Sequence, residues 1–108
     1  MTLFARKFAL LVSPLALMAA APAVATPTAD LAAVERDLEA MLLRESPEYA
    51  SQIGAAQSDA LSDLSVEAMD RRTVEAAALL ARLDAISDAE LTPAQRVNRA
   101  IMRRMLSE

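Results

Sequence analysis

The amino-acid sequence predicts an all-α protein: three main amphipathic helices and one short helix in a loose bundle, preceded by a signal-peptide helix. Apolar residues recur at spacings of three and four in three separate segments, which is the period of one helix face. A serine or threonine suited to cap a first turn precedes several of these segments. Alanine, the strongest helix former, supplies 17 of residues 26–108, which contain a single glycine.

The first 25 residues have the order of a secretory signal peptide. Two basic residues, Arg6 and Lys7, precede an apolar run at 8–21, and small residues follow it. The residues at the expected cleavage site are Ala23, Ala25 and Thr26. We therefore expect residues 1–25 to be removed and the remainder to be exported, either to the periplasm or out of the cell.

The alternative for this leader is a membrane-spanning anchor. The apolar run has 14 residues and is interrupted by Ser13 and Pro14. A helix needs about 20 apolar residues to cross a bilayer, so we prefer the signal peptide. The sequence has no cysteine, which excludes both a disulfide and a lipid-anchored amino-terminal cysteine. We expect no stable membrane anchor after cleavage.

Residues 26–108 carry a net charge of −6, from nine arginines and 15 acidic residues. Such a surface repels nucleic acid and anionic lipid, so we expect neither as a partner. A chain of this length that is rich in alanine and has no disulfide is expected to have only a small free energy of unfolding. We therefore expect residues 26–108 to be a piece of something larger.

The first main helix is predicted to begin at a cap, Thr28 or Asp30, and to run to about Glu45. Its apolar face is formed by Leu31, Val34, Leu38, Met41 and Leu42. Glu45 falls near this apolar face, which is a reason to end the helix there.

A short helix then begins at Ser46 and Pro47. The serine oxygen can accept a free backbone N–H, and proline suits the first helical position because its missing donor costs nothing there. Gly54, the only glycine in the chain, is expected to end this helix in a left-handed conformation. The following stretch, 55–64, has no helical period, and its expected anchors onto the helices are Leu61 and Leu64.

Ser65 is predicted to cap the second main helix, from Val66 to about Ile86. Its expected apolar face contains Val66, Met69, Thr73, Ala76, Ala77, Leu79, Leu80, Leu83 and Ile86. The third main helix starts at Thr92 and Pro93 with a capping box that is completed by Gln95. Its apolar side contains Ala94, Val97, Ile101, Met102 and Met105, and its opposite basic face contains Arg96, Arg99 and Arg103. The apolar period still runs at Glu108, which we interpret as an interruption of a longer protein.

The residues predict no catalytic, metal or cofactor site. Without histidine or cysteine, a metal site would need carboxylates alone, and nothing frames the acids as in a calcium loop. The acids considered as calcium ligands are Asp59, Asp63, Asp84, Asp88 and Glu90. Glu35 and Glu39 lie one helical turn apart, an ordinary spacing for exposed acids that does not indicate acid–base catalysis.

Asn98 is the one polar residue expected on the apolar side of the third main helix. A buried amide needs hydrogen-bond partners, so we expect it to bond to the 55–64 loop or to a backbone carbonyl. A ligand contact is the less favoured alternative. The basic face of the same helix either faces solvent, pairs with acids of the first helix, or docks onto an acidic partner.

Several motifs together resemble the amino-terminal region of an exported bacterial family, the one catalogued as domain of unknown function 885. The motifs that carry this resemblance are the signal peptide, Ser46-Pro47-Glu48-Tyr49-Ala50, Ile53-Gly54, Asp63-Leu64-Ser65, Leu79-Leu80-Ala81-Arg82-Leu83, Leu91-Thr92-Pro93 and Arg96-Val97-Asn98. They cover nearly all of residues 26–108. They are helix-packing and capping features rather than catalytic ones.

The resemblance implies a long, almost entirely helical exported protein that is similar to zinc metallopeptidases. Members carry a zinc motif such as His-Glu-x-x-x-Gly-His far downstream, and no position of this sequence matches it. The resemblance therefore implies zinc only for a full-length relative and none for this chain.

Two functional hypotheses follow. In the first, the chain is a non-catalytic amino-terminal helical fragment of a metallopeptidase-like protein, and its partner is the missing remainder of that fold. In the second, it is a complete small periplasmic helical protein that binds another helical protein through an apolar helix face.

Overall fold

The computed structural model describes Val24 and residues 26–108. The predicted leader and two residues of its cleavage site, Ala23 and Ala25, lie outside the described residues. Four α-helices follow one another: α1 (Pro27–Glu45), α2 (Pro47–Gln52), α3 (Val66–Asp84) and α4 (Pro93–Ser107), with a 3-10 turn at Asp88–Glu90 before α4. The described part of the chain contains no β-strand, so the predicted all-α class is confirmed.

The three long helices pack side by side around one apolar core. The carboxyl end of α1 meets the start of α3, and α4 folds back along α3, so α3 is antiparallel to both. The core residues are Leu31, Val34, Leu38 and Met41 of α1, Leu79 and Leu83 of α3, Ile86 and Leu91 of the connection, and Met102 of α4. Leu42, predicted on the α1 core face, lies at its exposed margin.

The cap of α1 lies earlier than predicted. Thr26 Oγ1 accepts a hydrogen bond from the Ala29 backbone N at 3.2 Å, and Pro27 occupies the first turn. The predicted cap at Thr28 or Asp30 is therefore wrong. Pro27 favours the first helical position, so the helix begins one residue before Thr28 and both predicted caps lie inside it.

The joint after α1 is held by backbone bonds. Ser46 precedes α2 and Pro47 begins it, but the Ser46 hydroxyl makes no capping bond, contrary to expectation. Gly54 adopts φ +74°, in the left-handed region, and its N donates to Ser51 O at 3.2 Å. A side chain at this position would be strained, since L-residues rarely adopt that conformation.

The other two helix starts have complete side-chain caps. Ser65 Oγ accepts from Ala68 N at 3.2 Å at the start of α3. At α4, Thr92 Oγ1 accepts from Gln95 N at 3.2 Å while Gln95 Oε1 accepts from Thr92 N at 2.9 Å. Pro93 occupies the first turn of α4, where a missing N–H leaves no helical bond unmade.

The predicted apolar face of α3 is wrong in its first half. Buried residues in this helix are Ala68, Leu79 and Leu83, whereas Val66, Met69, Thr73 and Ala77 are exposed. With 15 residues against 19, α4 is shorter than α3 and packs against its second half, so the first turns have no apolar neighbour on that side.

The expected leucine anchors of the 55–64 loop are also wrong. Leu61 is 80% exposed and Leu64 is 78% exposed. Polar bonds hold the loop instead: Glu48 accepts from Ser62 N at 3.1 Å and from Ser62 Oγ at 2.5 Å. The Ser62 hydroxyl lowers the pKa of the Glu48 carboxyl, which is the charged acceptor.

Leu83→Ala should destabilise the protein by about 2–5 kcal/mol, because it leaves a cavity where the side chain is fully buried. Leu61→Ala removes the same atoms from an exposed side chain and serves as the matched control, with an expected change within about 0.5 kcal/mol. Chemical denaturation followed by circular dichroism measures both. Equal losses from the two variants would contradict the described core.

Candidate functional site

An open groove runs between α1 and α4. It encloses about 240 Å³ and its floor is almost entirely apolar. The lining residues are Glu35, Leu38, Glu39 and Leu42 of α1 and Asn98, Ile101 and Met102 of α4. The two helices lie parallel here. Both acidic lining residues come from α1, whereas α4 contributes one amide, Asn98, and two apolar side chains.

An apolar row on α4 borders this groove and faces solvent. Val97, Ile101 and Met105 recur every four residues and are 58%, 53% and 51% exposed, respectively. We call these three residues the α4 ridge. The other large apolar residues of α4, Met102 and Leu106, pack against the core. Large apolar side chains in a contiguous exposed row are typical of surfaces that another protein segment covers.

Asn98 lies at the edge of the groove rather than inside the bundle. Its side chain is exposed, and Nδ2 donates to Glu35 Oε1 at 3.5 Å. The predicted burial and the predicted bond to the 55–64 loop are both wrong. Met102, one turn further along α4, is buried, whereas Asn98 lies on the flank that faces α1.

Two of the three arginines on the predicted basic face of α4, Arg99 and Arg103, pack against the end of α3. The third, Arg96, is exposed to solvent and forms no ion pair among residues 26–108. Arg99 Nε donates to Leu83 O at 3.0 Å, and its Nη1 lies 3.1 Å from Asp88 Oδ1. Arg103 Nε lies 2.7 Å from Asp84 Oδ1. The expected pairing with acids of the first helix is therefore wrong: the antiparallel return of α4 along α3 brings these arginines to the α3 carboxyl end instead.

A buried carboxylate at the end of α1 is the strongest electrostatic feature of the described chain. Glu45 accepts from Arg72 Nε at 2.8 Å, from Arg44 Nε at 2.9 Å and from Arg71 Nη2 at 3.0 Å. Hydrogen bonds from Arg72, then Arg44, then Arg71, lower the pKa of Glu45 to about 2. Arg72 also donates to the backbone carbonyl of Asp63, which ties the loop to this cluster.

Two features of the sequence indicate this cluster, although helical periodicity alone does not predict it. Glu45 falls in the apolar stripe of α1, and an arginine doublet, Arg71-Arg72, stands within the first two turns of α3. An acid on a core-facing position needs a cationic partner, so the doublet is the natural candidate.

Further ion pairs join α1 to α3. Arg82 Nη1 lies 2.6 Å from Asp37 Oδ2, and Arg44 Nη2 lies 2.5 Å from Glu75 Oε2. The α1–α3 contact is thus matched in charge along its length. By contrast, no arginine of the described chain pairs with Glu35 or Glu39 at the groove.

Neither a metal site nor a membrane span is found in the described chain. Within residues 26–108 no three acidic side chains converge so that they could hold a metal ion, and this includes the acids considered as calcium ligands. None of the helices at 27–107 is long and apolar enough to cross a membrane.

No protein-family model, curated protein or solved structure matches this chain.

Acidification should destabilise the wild-type protein more than the Glu45→Gln variant. The pKa of Glu45 in the folded state is about 2, below its ordinary value of 4.5. Its ion pairs therefore contribute fully to the stability of the fold above about pH 4.5, and this contribution is lost as the pH falls through about 2. Thermal melts between pH 7 and pH 2 measure this difference. Glu90→Gln, at an exposed acid, is the control and should follow the wild type. Parallel pH curves for wild type and Glu45→Gln would contradict the described cluster.

Proposed function

We propose that residues 26–108 are the non-catalytic amino-terminal helical part of an exported, larger all-α protein. Its remaining helices cover the groove and the α4 ridge. The observation that carries this proposal is the ridge itself: three large apolar side chains, each more than half exposed, stand beside an apolar groove on one face. Burying apolar surface stabilises a fold by about 25 cal/mol per Å², so this face favours a covering segment.

The parent that the sequence motifs favour is the family catalogued as domain of unknown function 885, which resembles zinc metallopeptidases. Residues 46–54 and 91–98, which carry much of that resemblance, form the joint after α1 and the start of α4. Under this proposal zinc and the hydrolytic residues belong to the remainder of the protein. Residues 26–108 then contribute packing and position.

The second candidate is a complete small periplasmic helical protein that binds another helical protein through the α4 ridge. This candidate is favoured by the hydrogen bonding of the interior, because every buried polar side-chain atom in the described residues already has a hydrogen-bond partner. Export is common to both candidates, and the two differ in whether the covering helix belongs to the same polypeptide.

Export should yield a mature chain that begins at Thr26. The protein is expressed with a carboxyl-terminal tag in a Gram-negative host, and the periplasmic form is analysed by amino-terminal sequencing. Ala25→Phe places a large residue at the cleavage position and should accumulate uncut precursor, because the cut requires small residues there. Full-length protein that stays in the cytoplasm in both cases would contradict the proposed export.

The reading frame after the Glu108 codon separates the two candidates. The fragment proposal expects further amphipathic helices in frame or in a shifted frame nearby, followed by a helix with a His-Glu zinc motif. A stop codon followed by long noncoding sequence favours the small protein. That protein should also melt in one cooperative step after purification, as small domains that fold alone do.

A further inference from the structure

We propose that the groove between α1 and α4 binds a single amphipathic helix that carries arginine or lysine on the flank next to α1. This rests on the proposed function in one respect, namely that the face is covered by a helix. It adds the chemistry of that helix, which the proposed function does not specify.

The position of the groove matches the place of a fourth helix in a bundle. In an up-and-down bundle of four helices, the fourth packs between the third and the first. Here α1, α3 and α4 follow this order, with α3 antiparallel to its two neighbours, and the groove lies between α4 and α1. A helix is therefore the element whose shape fits this site.

The dimensions of the site also suit a helix. Positions 97 to 105 of the ridge span about 12 Å at 1.5 Å per residue, which is a little more than two turns. Leu38 and Leu42 lie one turn apart on the opposite wall. Apolar side chains at positions i, i+3 or i+4, and i+7 of an incoming helix would contact both walls.

The distribution of charge selects a basic flank. At the other two helix contacts the acids are matched by arginines: Asp37 by Arg82 at α1–α3 and Asp84 by Arg103 at α3–α4. At the groove, Glu35 has only the Asn98 amide, and Glu39 has no ion-pair partner among residues 26–108. A basic residue in the occupant would complete the pattern, and complementary charge at the rim selects partner and register.

The probes are two synthetic, fluorescently labelled peptides of about four helical turns with the same apolar face. One peptide carries arginine on its flanks and the other carries glutamate. Fluorescence anisotropy with the purified protein measures their dissociation constants. We expect the arginine peptide to bind about tenfold more tightly, as two rim ion pairs of typical strength imply.

Two pairs of matched variants test the two parts of the site. The double variant Glu35→Lys/Glu39→Lys should reverse the preference, whereas Glu67→Lys/Glu90→Lys makes the same change of net charge away from the groove and should retain the wild-type preference. Ile101→Asp should abolish binding of either peptide. Val74→Asp replaces another exposed apolar residue, on α3, and should not. Circular dichroism shows whether each variant is folded.

Each other outcome decides against the proposal. Equal binding of both peptides overturns the basic flank. Binding of neither peptide to folded wild-type protein overturns the helix site, while the export and reading-frame tests of the proposed function stand independently. A concentration-dependent dimer that Ile101→Asp dissolves and that excludes the peptides assigns the groove to a second copy of the chain instead.

Discussion

A buried carboxylate constrains the arrangement of the whole bundle. Glu45 ends α1 at the edge of the core, and a charge in such a place is tolerated only when cations and hydrogen bonds compensate it. Arg71 and Arg72 supply that compensation from the first two turns of α3, 26 and 27 residues further along the chain. The intervening segment, residues 46–65, must therefore return the start of α3 to the end of α1, and the two helices are antiparallel.

Acids are paired with arginines at two of the three contacts between the long helices, α1–α3 and α3–α4, but not at the third, α1–α4. Arginines and acids alternate across α1–α3, and the end of α3 holds Arg99 and Arg103 of α4. The outer side of the α1–α4 contact is instead an apolar groove with acids on one margin. The α1–α4 face therefore combines an apolar groove with acids that no arginine of residues 26–108 pairs, and the proposed function and its partner chemistry both depend on that combination.

Local sequence signals predicted the positions of the helices well, but they predicted poorly which residues of each helix contact the rest of the bundle. Caps and prolines act within one turn, so the starts of α3 and α4 at Ser65 and Thr92 could be predicted from a few letters. The exposure of Met69 and Leu64 could not, because it depends on how far α4 extends along α3 and on what holds the loop. Asn98 shows the same limit: a helical wheel places it near the apolar side, but only the position of α1 decides that it lies outside the core.

By itself, the sequence determined the all-α class, the number of long helices and most of their ends, because helical periodicity and capping are local properties of the chain. Tertiary structure decided how much of the apolar faces of α3 and α4 is buried, which arginine meets which acid, and where an apolar groove remains open. Those outcomes depend on contacts between residues that are far apart in the chain, such as Arg72 with Glu45, and periodicity carries no information about such partners.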